Sequence, residues 1–546
     1  MKPKDSVDLE SILKEIGDFG RYQIQTYCLI LIPILFSAVY NSQYIFAAGA
    51  TPHRCTVPEC EADPPNFGTN GWGLWAFPES GGQCERFPSV GEECTLGNFI
   101  QNQTVACSSW IYENDNTIVS EFDLACREWK RTLVGTIHSA GLFAALPITA
   151  YVSDTFGRRT AFILTAVSAG VAGVIRAFSP NYIMYLVMEF LDATVGSGVY
   201  STGFILGLEM VGLNHRVLGG NVISSTFALG QVLVALVAWG IPYWRTLTLV
   251  IYAPSILFFV YYFFLEESVR WLLSKGNKKE AARIIFKAAA MNKKKLSVET
   301  VKMLTDDPKG EEETGPKKVT QSDPVEHESK SSIFMQVIRS KVIMVRLIIC
   351  SFWWITLTFI YYGLSINSVS LAGNSYVNYI LTSLVEIPGY CASVLTLDRF
   401  GRKSSIMTAF FICAISLITL PFIPSHIIWM QTVLNMIGKL CISMAFSSIY
   451  IYTAELFPTQ TRHGLLGTCS MFGRIGSLVA PQTPLLMQYM ESLPYLIFGV
   501  MAACSGLLML LTPETLKTKL PDTVHQAENI AVAPRTKRNT TDIIAE

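Results

Sequence analysis

Twelve apolar runs, each long enough to cross a bilayer, constrain this 546-residue chain more than any other feature. A helix needs roughly 20 apolar residues to span the ~30 Å hydrocarbon core. Backbone N–H and C=O groups must be paired within lipid, so we predict that these runs are helical. The predicted spans are 24–48, 132–152, 160–178, 182–206, 217–240, 246–265, 342–364, 376–397, 404–422, 427–452, 464–488 and 493–512.

The composition agrees with a membrane protein that crosses the bilayer many times. Half of the residues are hydrophobic and only 15% are charged, whereas a soluble chain of this length would divide into several domains with polar surfaces. The net charge is zero, so no basic excess favours nucleic acid. The sequence shows no phosphate-binding loop, nucleophile elbow or metal-ligand spacing. We therefore expect neither an enzyme nor a cofactor or metal.

The distribution of Lys and Arg predicts the orientation. The loops at 179–181, 365–375, 423–426 and 489–492 contain neither residue, and the alternate loops contain several. Positive loops stay on the cytoplasmic side, so both termini are expected there. The predicted organisation is a cytoplasmic N-terminus (1–23), a six-helix half (24–265), a cytoplasmic linker (266–341), a second six-helix half (342–512) and a cytoplasmic tail (513–546).

Residues 49–131 then form a large polar segment outside the cell. An even set of cysteines in an oxidising compartment predicts three disulfides, although six cysteines allow 15 pairings. The six are Cys55, Cys60, Cys84, Cys94, Cys107 and Cys126. Asn102 begins an Asn-Gln-Thr sequence, which is a glycosylation acceptor on this side of the membrane.

The second long insertion follows the sixth span. It begins with the Lys-rich amphipathic pattern EESVRWLLSKGNKKEAARIIFKAAA and becomes acidic and polar over 305–332. This pattern favours a linker with a short helical bundle over a catalytic domain.

Charged motifs repeat between the two halves. DTFGRR (154–159) closes the second span and DRFGRK (398–403) closes the eighth, with an offset of 244 residues. A Glu followed seven positions later by Arg ends the fourth and tenth spans, with an offset of 246 residues between Glu209 and Glu455. Repeats of this size are how many transporters build two halves around a central site.

These charges are candidates for an inner gate. Basic groups at one helix end can pair with acids at a neighbouring helix end when the cytoplasmic face is closed. The alternative is that they only fix the topology. The predicted gate residues are Asp154, Arg158, Arg159, Glu209, Arg216, Asp398, Arg399, Arg402, Glu455 and Arg462.

The repeated loops resemble the major facilitator superfamily. Five further stretches resemble the organic cation, organic anion and carnitine transporter family (solute carrier family 22): TPHRC (51–55), FDLACREWK (122–130), the run of the eighth span that ends TLDRFGRK (396–403), GKLCISMAFSSIYIYTAELFPTQTRHG (438–464) and LPDT (520–523). The resemblance covers almost the whole chain. It implies alternating-access transport of small organic ions across the plasma membrane. Two departures concern the gate, because the family's PESPRWL is EESVRWL here and Thr155 replaces an Arg.

Three charges are predicted near the membrane centre. At 1.5 Å per residue, Lys439 lies ~18 Å into its span, and Arg474 and Glu386 lie ~15 Å into theirs. Charges at this depth are costly and are usually paired, water-lining or functional. Two cations against one acid leave an excess that water, another acid or a substrate must neutralise. The alternative is a buried structural cluster.

The fourth span adds Glu189 and Asp192, three residues apart on one face. The resembling family commonly has Arg at the position of Glu189, so this charge reversal bears on selectivity. Alternatively, Glu189 reaches the outer interface. His138 is a candidate proton relay, although a packing role is the simpler interpretation.

Aromatic and amide side chains complete the predicted substrate site. Aromatic faces can bind an organic cation, and Gln231 can hydrogen-bond a substrate. The resemblance favours Tyr361, Tyr362 and Phe446. The predicted substrate-binding set is Arg474, Lys439, Glu386, Asp192, Tyr361, Tyr362, Phe446 and Gln231.

In the resembling family, cation carriers commonly have Asp at the position of Arg474, whereas anion and carnitine carriers have Arg. We therefore expect an organic cation with an acidic or polar end, or a carnitine-like zwitterion. An organic anion exchanger is the alternative, and a non-transporting sensor is the hypothesis from another class. Expected partners are the substrate, a coupling ion (sodium or proton) or counter-substrate, and the lipid bilayer.

Overall fold

The computed structural model describes residues 9–530 except 18, 79–80, 213–214, 306–329, 425, 517 and 519. Most of the acidic stretch of the predicted linker, and most of the predicted C-terminal tail, lie outside the described residues. The chain divides into two compact units, Met1–Thr305 with Pro481–Tyr489, and Asp306–Ala480 with Met490–Glu546.

The first unit contains six spans, an N-terminal helix and a helical bundle that follows the sixth span. Its helices are α1 (Leu9–Ile16), α2 (Arg21–Ala47), α3 (Gly73–Ala76), α4 (Ile118–Glu121), α5 (Glu128–Phe156), α6 (Arg158–Ala177), α7 (Tyr182–Gly196), α8 (Gly198–Glu209), α9 (Arg216–Gly240), α10 (Trp244–Tyr252), α11 (Tyr261–Phe264), α12 (Val269–Ser274), α13 (Lys278–Met291) and α14 (Val298–Thr305). Its strands are β1 (His53–Cys55), β2 (Glu85–Arg86), β3 (Val105–Ala106) and β4 (Trp110–Tyr112).

The second unit contains the other six spans. Its helices are α15 (Lys330–Arg339), α16 (Lys341–Ser368), α17 (Ser375–Leu384), α18 (Glu386–Phe400), α19 (Arg402–Thr419), α20 (Ile428–Leu456), α21 (Arg462–Val479), α23 (Leu493–Leu508) and α24 (Val524–Glu528). The short helix α22 (Thr483–Leu486) belongs to the first unit.

Ten helical segments of the described chain are long and apolar enough to cross a membrane. Two of them each join helices named separately above, Trp244–Phe264 (α10 and α11) and Ser375–Phe400 (α17 and α18). The two other predicted spans are helical but interrupted. The fourth is broken at Ser197 between α7 and α8, where an added Cβ on Gly198 would lie 2.6 Å from the Thr165 side chain. The eleventh ends at Val479, and Pro481 and Pro484 follow in the next two helical turns. The protein is thus all-α in its membrane region, with twelve spans in two six-helix halves, as predicted.

The two halves repeat their internal packing. In the first, α2 packs on α9, α6 on α7, and α5 on α7. In the second, the corresponding pairs are α16 with α21, α19 with α20, and α18 with α20. Equivalent spans therefore have equivalent neighbours, which is the structural counterpart of the repeated charged motifs.

The cysteine-rich segment between the first two spans is cross-linked by three disulfides. The pairs are Cys55–Cys107, Cys60–Cys94 and Cys84–Cys126. The prediction of three disulfides is confirmed, and the structure selects one of the 15 connectivities. Two antiparallel ribbons, β1–β4 and β2–β3, lie beside them. His53 lies near Cys84 and Cys126, but a disulfide leaves no thiolate for a metal. Asn102 is exposed.

An ion pair also stabilises the cysteine-rich segment. Arg54 donates to both oxygens of Glu61, at 2.6 and 2.9 Å, and lies 5.0 Å from the ring centroid of Trp72. Burial acts to raise the pKa of Glu61, but the hydrogen bonds from Arg54 and from the Val57 amide outweigh it, so the pKa is lowered.

The helices after the sixth span pack on the N-terminal helix. Ile12 and Ile16 of α1 share an apolar core with Ala281, Ile284 and Ile285 of α13. These three lie on one face of α13, as the amphipathic pattern predicts.

Candidate functional site

Lys439 and Glu386 form a buried ion pair in the second unit. Both side chains are 0% exposed, and Lys439 Nζ lies 3.0 Å from Glu386 Oε1. Lys439 also donates hydrogen bonds to the carbonyl of Tyr361 (2.9 Å) and to Ser365 Oγ (2.7 Å). The ammonium therefore has three oxygen neighbours, and the pair is neutralised within the protein.

Two tyrosines complete the environment of this pair. The hydroxyls of Tyr361 and Tyr390 donate to Glu386 Oε2 at 2.7 and 3.1 Å. Lys439 Nζ lies 3.4 Å from the centroid of the Tyr361 ring, so a cation–π contact adds to the ion pair. Tyr361 is thus bound to both charged groups.

An aromatic surface continues from Tyr361. Phe446 stacks on Tyr361 with ring centroids 5.5 Å apart, and Tyr362 meets Tyr361 edge-on at 5.2 Å. Tyr450 contacts Phe446 at 5.8 Å and Trp354 at 4.4 Å. Tyr361 is buried, whereas Phe446 and Tyr362 are half-buried and Tyr450 is exposed. The structure thus brings together the three aromatic residues that the resemblance favoured.

Arg474 does not join the ion pair. It is half-buried on α21, and no Asp or Glu of the described residues lies within 4.0 Å of its guanidinium. The predicted cluster of three charges is therefore a pair, Lys439–Glu386, and a separate arginine. The excess positive charge expected from the sequence lies on Arg474.

In the first unit, the acids of the fourth span pair with a cation that the sequence analysis overlooked. Arg176, near the end of α6, contacts Glu189 and lies 3.1 Å from Asp192 Oδ2. Arg176 and Glu189 are 0% exposed, which excludes an interfacial position for Glu189. Asp192 also accepts a hydrogen bond from Tyr252 (2.6 Å). Both acids therefore have partners inside the unit.

His138 belongs to the same cluster. Its Nδ1 lies 2.8 Å from Glu189 Oε1 and its Nε2 lies 3.0 Å from Asn41 Oδ1. Both ring nitrogens of this buried imidazole are therefore hydrogen-bonded, one of them to an acid of the cluster. Gln231 is buried in α9.

The first charged loop holds several predicted gate residues together. Arg158 donates to Asp154 at 2.7 Å and its Nε lies 3.7 Å from Glu209 Oε2. Glu209 in turn accepts a hydrogen bond from the Ser268 hydroxyl.

The second charged loop repeats this arrangement. Arg402 donates to Asp398 at 2.8 Å and lies 3.5 Å from Glu455, which accepts a hydrogen bond from Thr515 (2.5 Å). In each unit one arginine thus joins the Asp of its own loop to the Glu at the end of another span.

The other predicted gate residues have different surroundings. Arg216 pairs with Glu10 of α1 at 2.6 Å. Arg462 donates to a carbonyl and a hydroxyl of its own turn, at 3.3 and 3.2 Å. Arg159 lies over an aromatic ring, 4.5 Å from its centroid, and Arg399 is exposed.

Comparison with known proteins identifies the family. The family model described as "Sugar (and other) transporter" matches residues 95–523. The chain is 32% identical to the "Organic cation transporter protein" of Drosophila melanogaster, with 96% of this chain and 95% of the relative covered. It is 31% identical to human "Solute carrier family 22 member 13", over 95% and 92% of the two chains.

The chain belongs to the solute carrier 22 family of the major facilitator superfamily.

As a member of this family, the protein is a membrane transporter and not an enzyme. Solved structures agree on the fold. The xylose transporter XylE from E. coli in an inward-open conformation superposes with a TM-score of 0.58, at 14% identity over 91% of this chain and 98% of that chain. The human organic anion transporter MFSD10 (TETRAN) gives a TM-score of 0.51, at 12% identity over 89% and 99%.

This solute carrier 22 protein has a third repeated motif that the sequence analysis missed. Glu267 accepts hydrogen bonds from the backbone N–H groups of Arg158 (2.9 Å) and Arg159 (3.0 Å) at the start of α6. Glu514 accepts them from Arg402 (2.9 Å) and Lys403 (3.1 Å) at the start of α19. A carboxylate at a helix N-terminus satisfies free N–H groups and the helix dipole.

The repeat of this glutamate is visible in the sequence. Ser268 follows Glu267 in EES, and Thr515 follows Glu514 in PET, with an offset of 247 residues. Burial raises the pKa of Glu267, although the amides of Arg159, Ser268 and Arg158 oppose the shift. The departure EESVRWL retains this Glu, so the contacts with α6 do not require the lost prolines.

The glycines of the two loops permit this contact. Gly157 and Gly401 have φ of 102° and 101°, a region that L side chains rarely adopt. A Cβ on Gly157 would lie 2.2 Å from Glu267 Oε2, and one on Gly401 would lie 2.6 Å from Glu514 Oε2.

Proposed function

We propose that this protein is an alternating-access transporter for small organic ions that carry a carboxylate, with carnitine-like zwitterions as the first substrate class. The name of the Drosophila relative supports an organic cation as one part of the substrate. The unpaired arginine described below supports an acidic group as the other part.

The proposal rests on the surroundings of the Arg474 guanidinium. Lys439 is neutralised by Glu386, and Arg176 is neutralised by Glu189 and Asp192. Arg474 is half-buried and has no carboxylate partner among the described residues. A guanidinium forms two parallel hydrogen bonds with a carboxylate, so an acidic substrate group is its natural partner.

The aromatic surface would bind the part of the substrate that does not carry the carboxylate. Phe446, Tyr362 and Tyr450 are not fully buried, and each contacts another ring of the group. Such faces bind quaternary ammonium groups, with about 0.5–2 kcal/mol per contact. They also bind the apolar body of an aromatic acid. Organic anions are therefore the second candidate class, because Arg474 is a cation of the predicted site without a carboxylate partner among the described residues.

The charged loops would serve as the inner gate. Arg158 and Arg402 each join an Asp to a Glu at the end of another span. Opening this side would separate helix ends that these arginines hold together. We place the loops and both termini on the cytoplasmic side, the cysteine-rich segment outside the cell, and the protein in the plasma membrane. Asn102 would then be accessible for glycosylation.

The test is an uptake panel with purified protein in liposomes. Labelled carnitine, tetraethylammonium and an aromatic carboxylate would be compared, with and without sodium and with and without internal substrate. We expect carnitine or the carboxylate to be transported and tetraethylammonium to be poor. Arg474→Gln should lower carboxylate transport about tenfold or more, because a charge-assisted pair contributes about 1.5–3 kcal/mol.

Arg339→Gln is the matched control, because Arg339 is an exposed arginine at the end of α15 in the same unit. Its uptake should equal that of the unmodified protein. Rapid tetraethylammonium uptake that Arg474→Gln leaves unchanged would refute the carboxylate assignment. Substrate binding without any uptake would instead favour the sensor hypothesis.

A further inference from the structure

Four ionisable side chains of the first unit lie buried in one connected cluster. His138 comes from α5, Arg176 from α6, and Glu189 and Asp192 from α7. None is more than 3% exposed. Glu189 contacts both His138 and Arg176, and Arg176 also contacts Asp192.

The charges of this cluster do not balance when the histidine is neutral. One guanidinium then faces two carboxylates, which leaves one negative charge in a region closed to water. An uncompensated buried charge is strongly unfavourable. One additional proton makes the cluster neutral, so the buried arrangement favours a protonated state.

The hydrogen bonds show where this proton can reside. Both ring nitrogens of His138 face oxygens, those of Glu189 and Asn41. A neutral imidazole carries one N–H, whereas an imidazolium carries two and satisfies both contacts. Asp192 Oδ1 is buried and has no hydrogen-bond partner in the described part of the chain. It is a second position for the proton.

Among the described residues, the other side chains that contact the cluster are uncharged. The ring of Tyr44 lies 5.0 Å from His138, and the rings of Tyr185 and Tyr252 lie 5.7 and 4.9 Å from the Arg176 guanidinium. Gln43 accepts a hydrogen bond from Arg176 at 3.0 Å. No other Lys, Arg, Asp or Glu of the described residues forms an ion pair with the four.

We infer that this cluster is the binding site of a coupling proton. The inference rests on the proposed transport function, for which it names the coupling ion. The proton enters from water on one side, binds at the His138–Asp192 cluster and leaves to water on the other side. Its loss leaves the buried charge unbalanced, which destabilises this packing of α5, α6 and α7 relative to one that hydrates the cluster. Protonation and helix arrangement are thereby linked.

The position and chemistry of the cluster fit a proton better than sodium. Glu189 is the eighth residue of α7, about 10 Å along the helix from its first residue, which places the cluster within about two helical turns of one end of the span. Arg176 already lies between the two carboxylates, in the place that a metal cation would need. Histidine is also a side chain that can gain and lose a proton at its ring nitrogens.

The first measurement needs no substrate. Infrared difference spectra of the full chain between about pH 5 and pH 8 should contain imidazole and carboxyl bands from the cluster. His138→Gln and Asp192→Asn should each remove part of these bands, and thermal unfolding would verify that each variant is folded. His426→Gln is the control, because His426 is exposed in the second unit. Identical cluster bands in the unmodified protein and both variants would overturn the inference.

The second measurement uses liposomes with an enclosed pH dye. An inward proton gradient should raise substrate uptake about fivefold or more, and this uptake should be accompanied by proton entry into the liposomes. His138→Gln should abolish gradient stimulation and proton flux but retain exchange of labelled for unlabelled substrate, a split that a packing defect would not produce. Uptake without proton flux would refute the coupling and leave the transport proposal intact. Cluster bands without uptake of any organic ion would refute the transport proposal alone.

Discussion

Replacing one member of the Lys439–Glu386 pair should destabilise the second unit far more than replacing both. Removing one partner of a buried ion pair costs about 3–5 kcal/mol, because the other charge is left uncompensated, whereas replacing both with neutral groups is often nearly neutral. The variants are Lys439→Met, Glu386→Gln and the double substitution.

The structure sets the single-variant cost at the lower end of this range, about 3 kcal/mol. Without Glu386, Lys439 keeps the Tyr361 carbonyl and Ser365 as acceptors. Without Lys439, Glu386 keeps the hydroxyl donors of Tyr361 and Tyr390. Neither charge is completely isolated, but neither retains an opposite charge among the described residues.

Thermal unfolding in detergent measures this difference. At about 2–4 °C per kcal/mol for a unit of 150–250 residues, each single variant should lower the midpoint by about 6–12 °C. The double variant should lie within about 3 °C of the unmodified protein. If the double variant instead lost the sum of both single effects, the two residues would be energetically independent and the pair would not exist.

Three further predictions concern other parts of the chain. Cys84→Ser should lower the local stability of the cysteine-rich segment by about 2–5 kcal/mol and so expose it to limited proteolysis. Cys28 forms no disulfide, so Cys28→Ser should leave the cleavage pattern unchanged. Gly401→Ala should lower the free energy of unfolding by at least ~1–2 kcal/mol, the cost of its backbone conformation, and so lower the thermal midpoint. Gly467→Ala, with open space at its Cβ, should raise the midpoint. Equal effects of the two substitutions would refute the argument. The lowered pKa of Glu61 means that its ion pair stabilises the segment fully above about pH 4.5, and that this stability is lost as the pH falls through the lower pKa of the folded state. Glu61→Gln should therefore reduce hydrogen-exchange protection at about pH 7, and the difference from the unmodified protein should shrink steadily as the pH is lowered below 4.5.

Membrane-spanning segments and repeated motifs were predictable because they depend only on residues that are close together in the sequence. Spans such as α16 and α20 need only length and hydropathy. The interruption of the fourth span at Ser197 was not predictable in this way. The close approach of Gly198 to Thr165 of α6 at this point was not predictable either, because it is a contact between helices.

The candidate site shows the same division. Lys439, Arg474 and Glu386 stand out individually because a charge in an apolar run is conspicuous. Arg176 was overlooked because it lies at the predicted outer end of its span, where an arginine needs no explanation. Its burial is a consequence of the contact between α6 and α7.

By itself, the sequence determined the membrane-spanning class, the twofold repeat, the family and the number of disulfides. Each of these depends on residue types and their spacing along the chain. Only the tertiary structure decided which charges neutralise one another: Lys439 with Glu386, Arg176 with Glu189 and Asp192, and Arg474 with none of the described acids. The physical reason is that the electrostatic state of a buried group depends on neighbours within a few ångströms, and those neighbours come from other helices.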